Sequence, residues 1–513
     1  MRPKQTLGIL LYICAFLATG VIHAETPPAI IFPDPAHEVL VVAADSCGSR
    51  LPCGRILPES DSLAKVVLEQ LRWPFHREVI TVSQCLRNFA GDRTSPNVLY
   101  VSEREGGYAS RGLALPENGK VREYPDLRYV ELVLDPQGVR NGDLDIYSHE
   151  LGHVMMWTVW PVRPEGRSPK QHVSMGITDD FMAFSEGWGI GFQRLAYDAI
   201  PEFQEIRRNQ LDYRRDTRWL WHSNLDTRLR LDAVVSNDYI HRKVLPQADT
   251  AGMSIKDLIF LDHTSPLFDP CRLKNAQEML ACEGVIATLF YRINTDSALQ
   301  YSYRDVAFYA PFLLRPMPAG SSPDAIFTPF ENVLLKGAFV MHSMKDRINE
   351  NSAPFLEFVN EWCQVFPEDK EELLSIFLRT TVGKTVTDSL GVLYEKMAYF
   401  GMVGNYKEYG RLRKEYDSAF TVVKADVVAG KRAIDANVGP QLWVENKDLP
   451  IPVTLFAPEP MYPLSVNLNT ASVFDLASFK GISMARAQSI IRTRDGRGWF
   501  KSLEDARQHG FAQ

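Results

Sequence analysis

The run His149-Glu150-Leu151-Gly152-His153 constrains this chain more than any other five residues. Two histidines four apart face the same way on an α-helix, where a turn takes about 3.6 residues. Both imidazoles then point at one ion, and Glu150 stands beside that ion without binding it. Zinc suits two imidazoles plus a carboxylate and leaves a fourth position for water. Glu150 is placed as general base, taking a proton from that water and passing it to a leaving amine. The flanks agree with a helix. A strand-like stretch, Tyr129-Val130-Glu131-Leu132-Val133-Leu134, is followed by the turn residues Asp135-Pro136 and Gly138. The apolar run Val154-Met155-Met156-Trp157 comes after. An exposed edge of the preceding strand would pair with an extended substrate and present it to the metal.

A third ligand is required. The position ten residues past His149 is Val159, so a third histidine at that spacing is excluded. Glu186 sits in Phe184-Ser185-Glu186-Gly187-Trp188-Gly189-Ile190-Gly191-Phe192, which holds no other charge. A carboxylate in so apolar a helix is costly unless paired or metal-bound, and the glycines allow close approach to the histidine helix. Asp179 and Asp180 are rival ligands, but Thr178-Asp179-Asp180 reads better as a helix N-cap, from which one aspartate could also orient a ligand histidine. His172, in the loop from Pro161 to Gly176, carries less weight. The donor that would stabilise an oxyanion is not legible; Tyr291, Tyr309 and His342 read as packing residues.

The chain begins with Arg2 and Lys4, an apolar run from Leu7 to Ile22, Ala24, and then Glu25-Thr26-Pro27-Pro28. That order is a secretory leader cleaved after Ala24, which implies an exported protein, periplasmic or extracellular, with no membrane span after cleavage. Besides Cys14 in the leader there are six cysteines, an even number that reads as disulfides in an exported chain. The sequence does not choose among connectivities. Loop lengths suggest Cys47–Cys53 and Cys271–Cys282, leaving Cys85 with Cys363. A net charge of −7 excludes a surface built throughout for nucleic acid.

With 513 residues the chain is too long for one small domain. The expected fold is α+β, with a mixed α/β half over residues 25–180 and a mainly helical half over 181–448. A proline-rich linker (449–464) leads to a small all-helical domain (465–513). Strands are expected at Glu38 to Ala43, Val79 to Val82, Asn97 to Ser102 and Arg128 to Leu134, with a glycine-containing loop from Glu105 to Arg122. Helices are expected at Ser62 to Arg72, Phe181 to Tyr197, Glu283 to Ile293, Asp324 to Met344, Ala353 to Val365 and Glu371 to Thr381.

HELGH, followed 33 residues after His153 by the Ser185-Glu186-Gly187 helix, resembles the glutamate zincins, in particular their secreted bacterial members. The helix Cys282-Glu283-Gly284-Val285-Ile286-Ala287-Thr288-Leu289-Phe290 resembles one that packs near the active cleft in such proteins. The resemblance spans Arg128 to Ile293. It implies a zincin-like metallopeptidase domain over 25–448, with a peptide or protein substrate in a cleft between an α/β and a helical half. It implies one zinc ion bound by His149, His153 and Glu186, with Glu150 catalytic. Thermolysin-like enzymes carry an aspartate four residues after the glutamate ligand; here that position is Ile190, so the groups behind the ligands do not transfer.

The tail contains Val466-Asn467-Leu468-Asn469-Thr470-Ala471-Ser472, then Phe479-Lys480-Gly481-Ile482-Ser483, then Phe500-Lys501-Ser502-Leu503-Glu504-Asp505-Ala506. It is similar to the helix-hairpin-helix domain of the competence protein that binds DNA outside the cytoplasm. In DNA-binding members a glycine hairpin holds a phosphate on backbone N–H groups; Gly481 is present, and Ser483 replaces the second glycine. From Tyr462 to Gln513 seven Lys/Arg stand against four acids, a surplus suited to weak, salt-sensitive DNA contact. The tail could instead dock on a protein or on its own chain. The sequence therefore supports two functions: an exported zinc metallopeptidase, or a DNA- or protein-binding protein acting through its tail, with the zincin-like part an inactive scaffold.

Overall fold

The structure is a computed structural model. It describes residues 39–511 except 94, 105, 118, 165, 169–173, 204–229, 244–267 and 447–463. The expected leader, His172 and nearly all of the proline-rich linker lie outside the described residues.

The chain is mixed α/β, with the strands concentrated before the HELGH helix. In order come β1 (Val39–Asp45), β2 (Cys53–Ile56), α1 (Ser62–Leu71), α2 (Pro74–Phe89), β3 (Asn97–Val101), β4 (Gly107–Glu117) and β5 (Lys120–Leu132). The strands close in the order β1-β2-β4-β5-β3. Val42, Val98, Tyr100, Leu113, Leu115, Leu127 and Tyr129 form their own buried cluster. Cys47 and Cys53 form the disulfide across the β1–β2 turn.

Two local expectations are corrected here. Val79 to Val82 is the middle of helix α2, not a strand. Its β-branched residues favour a strand locally, but Phe75, Val79, Val82 and Leu86 recur at helical spacing and are buried; tertiary burial overrides the weak local preference. The stretch from Glu105 to Arg122 is mostly a hairpin, not a loop. Its glycines serve the hairpin: Gly112 (φ +83°) lies at the register shift between Arg111 and Leu113, and Gly119 (φ +77°) turns the chain between paired Glu117 and Lys120.

The HELGH helix follows as α3 (Tyr147–Val159), and α4 (Asp180–Ala199) carries Glu186. After β6 (His241–Lys243) and β7 (Phe268–Leu273) come a short helix, α5 (Ala276–Leu280), and α6 (Glu283–Thr295). Helices α7 (Pro329–Met344), α8 (Pro354–Val365) and α9 (Lys370–Thr380) match expected spans closely, although α7 starts later than Asp324. A helical pair not anticipated from the sequence, α10 (Asp388–Met402) and α11 (Tyr406–Val428), completes this half. One apolar core runs from α1 and α2 through α3, α4 and α6 to α9.

Strands β8 (Trp443–Asn446) and β9 (Leu464–Asn467) pair antiparallel and lead into α12 (Val473–Ala477), α13 (Met484–Arg497) and α14 (Leu503–Gln508). This tail has a separate core of Val466, Leu468, Leu476, Phe479, Ile490 and Phe500, among others. No helix among the described residues is long and apolar enough to cross a membrane.

The expected pairings Cys271–Cys282 and Cys85–Cys363 are also corrected: Cys85, Cys271, Cys282 and Cys363 are free thiols. Cys282 caps α6 with its sulfur 3.5 Å from the Ser174 carbonyl oxygen in the interior, while Cys271 stays partly exposed on β7. Cys85 is enclosed in the core by α2.

Candidate metal centre

Helices α3 and α4 bring the three expected ligands together. His149 Nε2 and His153 Nε2 lie 3.1 Å apart, and Glu186 Oε2 is 3.5 Å from the first and 3.6 Å from the second. A tetrahedral zinc with bonds of about 2.0–2.1 Å separates its ligand atoms by about 3.3 Å, so this triangle has the size of a zinc face. Among the described residues no other group of three histidine, cysteine or acidic side chains converges in this way.

Glycine spacing in α4 makes the approach possible. A Cβ on Gly189 would stand 2.8 Å from His149 Nε2 and 2.9 Å from His153 Nε2, filling the space between the two rings and α4. On the other face, a Cβ on Gly187 would stand 2.6 Å from the Ile286 Cβ, so α4 is wedged between α3 and α6. The Trp188 indole N–H donates to the Gly152 carbonyl at 2.9 Å and fixes α3 against α4.

Glu150 is buried beside the triad and does not belong to it. Burial pushes its carboxyl above the usual range and Glu186 adds to this, whereas His149 and the N–H of Ala109 act in the opposite sense. Ala109 lies on β4, and a Cβ on neighbouring Gly107 would sit 2.9 Å from Glu150 Oε1. The strand beside the site is thus β4. β5, the strand expected to offer an edge, is paired on both sides over Val130–Leu132. From Gly107 to Arg111, β4 pairs only with β5 among the described residues. Backbone groups alternate in direction along an antiparallel pair. The Ala109 N–H points toward Glu150, so the polar groups of Gly107 and Ala109 face away from β5.

Asp179 and Asp180 take no part in the triad. Asp179 caps α4, accepting from the N–H groups of Phe181 and Met182 at 2.9 Å each, and also from Ser168 at 2.9 Å. Asp180 accepts from Gln441 at 2.6 Å, and its carboxyl is pushed up to about 7 by burial and then by Asp179. Tyr291 donates to Asp198, Tyr309 to Asn332, and His342 meets the Val159 carbonyl. Buried Ile190 stands where a thermolysin-like aspartate would be, and His149 Nδ1 has no hydrogen-bond partner among the described residues.

Sequence reading missed several neighbours. Ser185, buried next to Glu186, lies 3.4 Å from His153 Nδ1. Burial, then the charge of Glu186, holds the Glu283 carboxyl well above the usual range; a lone acid opening an apolar helix was the available signal. Gly107 and Ala109 had only the Gly106-Gly107 pair as a signal.

The tail is bound tightly to the body. Arg494, 2% exposed, pairs with Glu278 at 2.9 Å and donates to the Ala471 carbonyl at 2.8 Å. Arg242 pairs with Asp495, Asn275 donates to the Asn469 carbonyl at 2.9 Å, and Asn467 donates to Gln277 at 3.0 Å. Other basic residues are engaged within the tail: Arg497 with Asp505, Arg507 with Glu504, and Arg486 with the Gly510 carbonyl. Lys480, Arg492 and Lys501 are exposed without an ion pair among the described residues. Gly481 has φ +83° in the hairpin, and the Ser483 hydroxyl accepts from the N–H of Arg486, occupying one amide at the start of α13.

A family model described as the helix-hairpin-helix motif matches residues 464–507. No curated protein and no solved structure matches the chain. The tail therefore carries a helix-hairpin-helix motif, on a chain of mixed α/β structure.

Proposed function

We propose that this chain is an exported zinc metallopeptidase with a zincin-like fold over residues 25–448. The convergence of His149, His153 and Glu186 from two helices, with Glu150 buried alongside, carries this reading. Zinc, when bound, polarises a carbonyl and acidifies a water. His149, His153 and Glu186 hold the ion. Glu150 accepts the proton of the attacking water and delivers it to the leaving amine. The edge of β4 facing away from β5 receives an extended peptide through the outward groups of Gly107 and the carbonyl of Ala109, the Ala109 N–H being engaged by Glu150. The leader-like start and the Cys47–Cys53 disulfide support export. The test is metal content together with Glu150→Gln. Stoichiometric zinc in both proteins, with hydrolysis reduced by about 10²–10⁴ in the variant, is expected. A protein without zinc, or hydrolysis untouched by the substitution, refutes the proposal.

The helix-hairpin-helix match favours a second reading, an extracytoplasmic DNA- or protein-binding protein acting through its tail. DNA contact would rest on Lys480, Arg492 and Lys501, since Arg494 is consumed inside the molecule. Charge reversal of these three residues tests it better than removal of the tail, which would also strip partners from the body. DNA retention at low salt that is indifferent to the triple reversal rules out this surface.

A further inference from the structure

Zinc-binding histidines generally donate their second ring N–H to a carboxylate or a carbonyl, which fixes the ring and its tautomer. Neither arrangement is found at this centre among the described residues. His149 Nδ1 has no hydrogen-bond partner among the described residues. His153 Nδ1 instead faces the Ser185 hydroxyl at 3.4 Å. That hydroxyl accepts a hydrogen bond of 2.8 Å from the Arg163 guanidinium. Arg163 is held in turn: its carbon lies 5.2 Å from the centre of the Trp157 ring, and the same nitrogen is 3.2 Å from the Met156 sulfur. Both contacts are to the last turns of α3, one turn beyond His153.

We infer that Ser185, anchored by Arg163, is the positioning residue for His153, and that this hydroxyl–guanidinium pair replaces the usual carboxylate behind the metal site. The inference rests on the zinc reading above. When Nε2 offers its lone pair to the ion, Nδ1 carries the hydrogen and needs an acceptor. A guanidinium has donors only, so it occupies one lone pair of the Ser185 oxygen and leaves the second for His153. The same residue neighbours Glu186 in the chain, so one turn of α4 supplies a ligand to the ion and a partner to the ligand opposite. A neutral hydroxyl oxygen that already accepts from a cation is a weaker acceptor than a carboxylate, so it adds little electron density to the imidazole. His153 is therefore aimed by this pair without being made more basic.

The experiment measures affinity for Zn²⁺ and Co²⁺ by chelator competition, with the Co²⁺ absorption spectrum and the thermal unfolding of metal-free protein alongside. The full chain is compared with Ser185→Ala, Ser185→Thr and Arg163→Met. Ser185→Ala is expected to lose about tenfold or more in affinity and to alter the Co²⁺ spectrum, with metal-free unfolding unchanged. Ser185→Thr, which keeps the hydroxyl, restores most of the affinity, and Arg163→Met shows a smaller loss in the same direction. Wild-type protein that binds neither ion removes the zinc reading itself. Wild-type binding with Ser185→Ala within threefold of it overturns this inference alone. So does a loss that Ser185→Thr fails to restore and that tracks a lower unfolding temperature of the metal-free protein, because the role would then be packing.

Discussion

Replacing Gly189 with alanine tests the geometry of the centre most directly. The added methyl would stand 2.8 Å from Nε2 and 2.9 Å from Cε1 of His149, and 2.9 Å from Nε2 of His153. Ordinary contact is about 3.5 Å, so the rings must retreat by about 0.6 Å. Zinc–ligand distances tolerate only about 0.2 Å, so at least one imidazole would be displaced from a zinc ion bound as proposed. Structural zinc sites gain about 10–16 kcal/mol over four ligands. One ligand is thus worth about 3 kcal/mol, close to a hundredfold in affinity. Stability should change far less. Overpacking costs about 1–3 kcal/mol, and alanine returns about 1 kcal/mol of helix preference over glycine. Chelator competition gives the affinity, and thermal unfolding with and without Zn²⁺ gives the linked stabilisation. A Gly189→Ala protein that binds zinc within threefold of wild type would refute the three-ligand arrangement.

Two further outcomes concern the joint between tail and body. Arg494→Met leaves the buried Glu278 carboxylate with Arg242 as its remaining ion-pair partner among the described residues, 3.4 Å away, and should destabilise by about 3 kcal/mol in urea titration. Adding Glu278→Gln removes the stranded charge while keeping acceptors for the Asn275 cap, and should recover at least half of that loss; no recovery would show that the charge pair is not what binds the tail. Asp180→Asn probes the raised carboxyl at the start of α4. The folded state keeps this proton up to about pH 7, whereas the unfolded chain releases it near its ordinary value of 3.8. Wild-type stability therefore falls as pH rises between those values. The variant should gain nothing near pH 4 and at most about 4 kcal/mol at pH 8; an equal gain at both pH values would mean that Asp180 does not titrate there.

Much of the centre was legible from spacing alone. Four residues separate two histidines that must share a helix face, and a charge-poor segment made Glu186 conspicuous because an unpaired buried carboxylate is costly. The cap role of Asp179 was readable for the same local reason. Where local preference and burial disagreed, the reading failed. Val79 to Val82 became helix because its register buries one face, and the glycines after Gly106 became a bulge and a turn. Which strand borders the site depended on pairing between distant segments, which no local pattern encodes.

The sequence by itself determined the helical histidine pair, its glutamate partner and the helix-hairpin-helix tail, because each is carried by short-range spacing. Only the tertiary structure decided that β4, not β5, runs past Glu150, that Ser185 and Arg163 stand behind His153, and that Arg494 is spent on Glu278. Those outcomes follow from close packing of segments far apart in the chain. There the fit of side chains and the need to satisfy each buried polar group select the partner.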